Sequence, residues 1–536
     1  MRLIIKEYLL QLKEKNELDF LVCDILLQQG YIMDNKPKTG NRQFGVDILA
    51  YNDDELLLCV VKQGDLRRKN WDSDQNAVRQ SLDEIKDCYI DSLADKTQKK
   101  LRIAVVANGE LDEAVRPNWN GYVQKNKNWG NFEVKIEFWG IDKITNDVQK
   151  DMFNEHVFES ELQGFLRKAL YFVGETDYRN TYFEKIIDGL LTKLTSKNTK
   201  LFNKKLSGIY LVSQMIAQFA ADEGIYKIGI MVSEYLIIRF WKYMLENKCF
   251  ENSDCTEWLN KFLKSYDKWN SKYYNAVKYV CDNGDCFPTY NPVEQRVLIY
   301  EIVSYLASYS YYLSFGWGRD DSSLDRGLQI YSSIVQLIDS QPMFFYPPYD
   351  VDSGVISMLC RLSDRFGNVE NIHSILNRQC CNVAYDYHIY KKYPSPVDTF
   401  EDATNIHFGF PAEPYQTSCY WGTMLEWIAL MEEKETYIDI HQILETDLKN
   451  VTKCVWFLRV EEESIFYDAF AMNRAGEGVS VEIGSSFEEL KEAITFVMQQ
   501  YAQETFSFET YSFEALEFIA CRYYGYLPRV KRENRV

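Results

Sequence analysis

The sequence predicts an α/β domain at the front of the chain, a large, mainly α-helical and solenoid-like region behind it, and a small α+β part at the end. Three observations carry this. Between residues 44 and 139, short runs rich in Val, Ile and Leu alternate with segments of helical period, as expected of strands packed between helices. From about residue 150 to residue 340 the apolar period is helical throughout, broken only by short polar or Gly-containing stretches. Near the end, Val455-Trp-Phe-Leu-Arg-Val460 and Ser464-Ile-Phe-Tyr-Asp-Ala-Phe-Ala471 read as a strand pair. A chain of 536 residues is too long for one hydrophobic core. The expected domains are 1–148 (α/β), 149–395 (a helical sensor or interaction domain) and 396–536 (mainly helical, with the strand pair).

Composition narrows the function classes. An aromatic content of 15% and ordinary apolar content exclude a disordered chain. The formal charge of −19 argues against a protein that coats nucleic acid indiscriminately. Residues 1–150 carry 23 Lys and Arg against 25 Asp and Glu, a net of −2, so −17 falls on the remainder. DNA work is therefore expected in front. The thirteen cysteines lack paired short spacings; Cys249/Cys255 and Cys281/Cys286 come closest to a metal pattern, and buried or loop thiols are the simpler reading. With no leader and no apolar stretch free of charge, a cytoplasmic protein without membrane contact is expected.

In the front domain, residues 2–14 form a short amphipathic helix, and 17–29 a second, with Asn16 as its cap and Gly30 as its left-handed end. Phe44–Tyr51 and Leu56–Asp65, joined by Asn52-Asp53-Asp54, read as a hairpin. It contains one acid, Asp47, and one base, Lys62, and burying either is costly unless it is paired. Gly45 permits close backbone approach just before Asp47. The basic run Arg67-Arg68-Lys69 leads into a helix over 71–85 and suits a phosphate clamp as well as a solvated charge run. Residues 101–109 form a buried strand, 110–115 begin a helix that Pro117 halts, and 133–139 form a half-exposed strand.

The pattern Glu17…Leu26-Leu27…Gly30-Tyr31, followed by Asp47 and by Val60-Val61-Lys62-Gln63, resembles the PD-(D/E)xK nuclease superfamily, and within it the Mrr-like restriction endonucleases. The resemblance covers about the first quarter of the chain and implies a restriction-endonuclease-like fold. It implies that Asp47 holds Mg²⁺ or Mn²⁺, that Lys62 orients water and stabilises developing charge, and that Gln63 bonds water or phosphate. Glu17 would help to hold the metal, or is an ordinary first-turn acid favoured by the helix dipole. The chain departs from the family at Val60, where an acid or Gln is usual. Asp74, placed by helical spacing on the Val78/Leu82/Ile85 face, could replace it; so could Gln63 or the Val60 carbonyl. The implied function is a metal-dependent DNA endonuclease effector of prokaryotic anti-phage defence or restriction, its helical region sensing or docking another protein of the system or a second copy. The alternative is an inactive nuclease-fold module that binds nucleic acid or protein.

Behind this domain, helices are expected over 158–172, 180–194, 206–221, 225–245, 256–281, 292–314 and 323–338. Residues 341–354 and 393–414, rich in Pro, read as long loops suited to recognition. Helices over 486–501, with Ser486 and Glu489 as a capping box, and over 514–524 close the pattern, and the basic tail from Arg529 reads as a frayed end. The five His show no catalytic or metal spacing.

Overall fold

The structure, a computed structural model, describes residues 2–35, 45–73, 77–89, 100–129, 132–152, 160–174, 181–192, 194, 199–284, 287, 289–317, 321–409, 416–457, 459–468, 477–499 and 505–531. The chain divides into two compact units, Met1–Gly229 and Ile230–Val536.

The first unit begins with α1 (Arg2–Gln11) and α2 (Asp19–Gln28), followed by β1 (Ile32–Asn35), β2 (Ile48–Tyr51) and β3 (Glu55–Lys62). Then come α3 (Val78–Glu84), β4 (Lys100–Ala107), α4 (Arg116–Lys125), β5 (Asn128–Trp129), β6 (Phe132–Trp139) and α5 (Ile141–Asp147). The strands make one mixed sheet in the order β1-β2-β3-β4-β6-β5. The β1-β2-β3 meander is antiparallel, while β4 lies parallel to both β3 and β6. Period-two alternation then sorts the side chains by face. Leu56, Leu58 and Val60 of β3, with Ile103, Val105 and Ile136, pack on Trp71, Val78, Leu82 and Trp119. Trp71 meets Trp119 and Tyr122 edge-on, with ring centroids 5.8 and 5.6 Å apart. Arg102 and Glu137 occupy the opposite face, where Arg102 also reaches Glu55 at 2.9 Å. Helices α6 (Ser160–Tyr171), α7 (Thr181–Leu191) and α8 (Thr199–Asp222) complete the unit, and the division falls inside α9 (Tyr226–Asn247).

The second unit contains α10 (Ser253–Asn283), α11 (Pro292–Phe315), α12 (Asp321–Ser340), α13 (Ser353–Arg365), α14 (Val369–Tyr390) and α15 (Phe400–Phe408). It continues with β7 (Thr417–Ser418), α16 (Cys419–Leu430), α17 (Lys434–Thr446), β8 (Thr452–Phe457), α18 (Glu463–Phe466), β9 (Glu477–Ser480), α19 (Phe487–Met498), α20 (Ser507–Thr510) and α21 (Ala515–Tyr524). Its helices do not stack as a one-dimensional solenoid, in which each repeat touches only its neighbours. The buried α11 packs on α10, α12 and α13 and also on the distant α21.

The buried Arg361 donates to Glu517 at 2.8 Å and to the Tyr311 hydroxyl at 3.0 Å. Arg529 reaches Glu517 at 3.2 Å and Glu509 at 3.1 Å, and Lys531 reaches Glu509 at 3.0 Å. Arg522 pairs with Glu234. Burial alone would push the Glu517 carboxyl up, but Arg361, Arg529 and Lys531 outweigh it and hold the group well below the usual carboxylate range.

The structure departs from several sequence expectations. Pro117 does not halt a helix but lies in the first turn of α4, where its missing N–H costs no intrahelical bond. Asn16 caps nothing: it adopts φ +68° in the turn Glu14–Leu18, a left-handed conformation that Asn tolerates. The expected 393–414 loop contains α15, capped by the Thr399 hydroxyl. Residues 463–466 are helical, so β8 pairs instead with β9 and β7. Arg529 and Lys531 are tied down by carboxylates rather than frayed.

Candidate functional site

Asp47 sits one residue before β2, where Gly45 takes φ +80° and a Cβ would overlap the Ser81 carbonyl oxygen. Only glycine allows α3 to approach the chain so closely there. The Asp47 N–H donates to the Cys59 carbonyl at 2.9 Å, and its Oδ2 accepts from the Val61 N–H at 2.8 Å. The carboxylate is thereby fixed against the last turn of the β3 ladder. Burial pushes its pKa up; the Val61 N–H and Lys62 pull it down, Glu14 pushes it up, and Lys15 pulls it down.

Lys62 is the last residue of β3, in register with Ala107. Its Nζ lies 3.7 Å from Glu14 Oε1, with the two side chains 16% and 32% exposed. Glu14 belongs to the turn that Asn16 bends, so the left-handed residue brings an acid and Lys15 toward Asp47. Sequence reading missed Glu14. Its only signal was Asn16, which tolerates φ > 0 but serves equally well as a helix cap.

One side chain ties the two arms together. The fully buried Asn108, immediately after β4, accepts from the Gly64 N–H at 2.7 Å and donates to the Leu9 and Leu12 carbonyls, each at 2.8 Å. The chain leaving Lys62 and the chain leading into Glu14 therefore hang on a single amide. Gly109 packs directly on the Gly64 backbone, where a Cβ would overlap it.

The remaining candidates are spread more widely. Glu17 turns back on its own helix: its Oε2 accepts from the Lys13 N–H at 2.9 Å, and its charge acts on Tyr8 and Tyr210. Glu14, by contrast, is among the groups that act most strongly on Asp47. Val60 is sealed in the apolar core beside Trp71 and Val78. Gln63, Arg67, Arg68 and Lys69 are exposed on the segment after Lys62. Arg67 pairs with Asp65 at 3.1 Å, and Asp65 also accepts from the Glu110 N–H at 3.0 Å. Asp74 lies outside the described residues.

Among the described residues no group of three or more His, Cys, Asp or Glu side chains could hold a metal ion. The donor set present is two acids, Asp47 and Glu14, beside one lysine. That set fits Mg²⁺, which commonly takes one or two carboxylates and fills its octahedron with water and phosphate oxygens; it does not fit a cage of protein ligands alone. Among the described residues no helix is long and apolar enough to cross a membrane. No protein-family model, no curated protein and no solved structure matches this chain.

Proposed function

We propose that the first unit is a Mg²⁺- or Mn²⁺-dependent phosphodiesterase acting on DNA, with a restriction-endonuclease-like sandwich of the kind the sequence resemblance implies. The observation that carries this reading is the meeting of Asp47, Glu14 and Lys62 at the end of β3, next to the exposed basic segment Arg67-Arg68-Lys69. Asp47 and Glu14 would hold the metal. A bound divalent ion would supply Lewis acidity and lower the pKa of attacking water. Lys62 would stabilise charge developing on the phosphate, and Gln63 would bond water or a phosphate oxygen. Arg67, Arg68 and Lys69 would hold the backbone on either side. In this reading the chain is an effector of prokaryotic defence, and its helical second unit senses or docks a partner, which is a second copy or another protein of the same system.

The test is plasmid cutting by the full chain with Mg²⁺, Mn²⁺ or chelator. Cutting that requires metal and disappears in both Asp47→Asn and Lys62→Met supports the reading. Undiminished cutting in either variant sinks it.

Val60 favours a second reading. An apolar residue, fully buried, stands where the family usually presents a metal ligand, and that fits a module that binds nucleic acid or protein without cutting. Metal-independent DNA binding with no cleavage under any ion would decide for the module.

A further inference from the structure

In the second unit, the turn between α9 and α10 brings two cysteines together. Lys248 takes φ +50° and closes α9: its N–H donates to the Leu245 carbonyl at 3.3 Å, and the Cys249 N–H to the Met244 carbonyl at 3.1 Å. The Asn252 N–H returns to the Cys249 carbonyl at 3.1 Å. The Asn252 side chain then caps α10, accepting from the Asp254 and Cys255 N–H groups at 2.9 and 3.1 Å. The Thr256 hydroxyl donates to the Phe250 and Asn252 carbonyls at 3.3 and 3.1 Å. Phe250 stacks on Tyr511 and meets Trp241 edge-on, with ring centroids 3.9 and 4.9 Å apart. Backbone hydrogen bonds and one aromatic anchor thus fix the chain on which both cysteines stand.

Within that frame the Cys255 thiol donates to Cys249 Sγ at 3.4 Å. A disulfide bond is about 2.05 Å long, so bonding asks the two sulfurs to close by about 1.4 Å. Cys255 is sealed, at 1% exposure, while Cys249 is half-buried. The hydrogen bond from Cys255 holds the Cys249 thiol below its ordinary range, against burial, which pushes it up. The same bond, together with burial, pushes Cys255 up. The sulfurs therefore divide two roles: one is partly accessible with thiolate character, and the other is a buried thiol aimed at it. A metal does not explain the pair, because among the described residues no third His, Cys, Asp or Glu joins it as a ligand.

We propose that Cys249 and Cys255 are an oxidation site that a hydroperoxide closes reversibly to a disulfide, Cys249 meeting the oxidant and Cys255 resolving it. With hydrogen peroxide, the Cys249 thiolate attacks one oxygen and the O–O bond breaks. Hydroxide leaves, takes up the proton that Cys249 had lost, and Cys249 becomes a sulfenic acid. The Cys255 sulfur then attacks the Cys249 sulfur, the S–O bond breaks, and water leaves with the Cys255 proton. Two thiols are oxidised to one disulfide and the peroxide is reduced to two waters. The new bond ties the end of α9 to the start of α10 across Phe250. This site is independent of the phosphodiesterase reading.

Lys248 and Lys261 bracket both cysteines, and no other, in one tryptic peptide, 249–261. The experiment exposes the reduced full chain to hydrogen peroxide, alkylates the remaining thiols with iodoacetamide and follows this peptide by mass. The expected product takes no alkyl group, is lighter by two hydrogens and regains both alkylation sites after dithiothreitol. It should form at least about tenfold faster in the folded chain than in the same chain unfolded in urea, because the fold holds the sulfurs together. In Cys255→Ser, dimedone should capture a sulfenic acid on Cys249; in Cys249→Ser, Cys255 should remain an alkylatable thiol. Two alkyl groups on the peptide after the peroxide has oxidised free cysteine in the same tube, or closure no faster folded than unfolded, overturns the proposal. Dimedone capture at Cys255 rather than at Cys249 overturns the division of roles.

Discussion

Lys62 and Glu14 face each other at 3.7 Å with both side chains partly exposed, whereas Arg361 meets Glu517 at 2.8 Å with both nearly sealed from solvent. The second pair is surrounded by further donors: the Arg529 backbone N–H reaches Glu517 at 2.9 Å, and Arg361 also reaches Tyr311. At the end of β3 the backbone fixes Asp47 through one oxygen, and the lysine stays loosely held beside two acids. Both regions depart from the rule that charges stay in water, but they solve different problems. A buried ion network whose lone pairs and protons are filled specifies a fold. Acids and a base held close by the chain, but not closed on each other, leave room for a ligand to complete them.

The largest effect should come from breaking the closed network. Glu517→Ala leaves Arg361 buried without its acid and Arg529 with Glu509 alone, and should cost about 3–5 kcal/mol in chemical unfolding of the second unit. Replacing Arg361 and Glu517 together by Met and Leu should recover much of that loss. If the single variant is as stable as the parent, the network is not structural and the comparison fails.

In the open cluster the expected effect is on chemistry instead. Asp47→Asn keeps an acceptor for the Val61 N–H, so unfolding should shift by less than about 1 kcal/mol while metal-dependent cutting falls to background. A comparable loss of stability in Asp47→Asn would place this acid with the structural ones.

A pH dependence sharpens the contrast further. Asp352 is buried, accepts from the Tyr349 N–H at 2.9 Å and, among the described residues, has no cation among the main causes of its shift. Burial pushes its pKa up to about 8, opposed by the Tyr349 N–H, with Asp350 and Asp398 pushing further up. Because the folded pKa exceeds the unfolded one, its contribution to stability is fully present below about pH 4 and is lost as pH rises through about 8. Asp352→Asn should therefore raise the thermal midpoint at pH 8.5 more than at pH 5. Equal shifts at the two pH values would rule this out.

The smallest effect is expected at Glu17, whose carboxylate serves the Lys13 N–H. Glu17→Gln should change stability by less than about 1 kcal/mol and leave cutting intact, whereas Glu14→Gln should reduce it. The opposite order of activities would restore Glu17 to the site.

Asp47 and Lys62 were legible because strand period and the turn Asn52-Asp53-Asp54 determine which residues lie near each other across a hairpin. The long helices from α8 to α12 were legible for the same reason, since each carries a sustained apolar period. Glu14 was not, because its position depends on one residue adopting φ > 0, and Asn is as good a helix cap as a left-handed turn residue. Asn108 was invisible as well: a lone Asn at a strand end reads as a turn signal, and nothing local reveals that three chain segments converge on it. The same limit explains the tail. Arg529 and Lys531 look like solvated charge until the acids of α20 and α21 are brought beside them.

That last connection has a consequence for synthesis. The first unit's sheet has all its strands once residue 139 has left the ribosome, and the helices through α8 follow within the next hundred residues. The second unit must wait. Its buried Arg361 remains without the acid of Glu517, and Glu517 without Arg529, until almost three hundred residues of that unit have emerged. Throughout that interval the nascent chain exposes a half-built core of tyrosines and uncompensated charge, so folding helpers and proteases have their longest opportunity on this half of the protein.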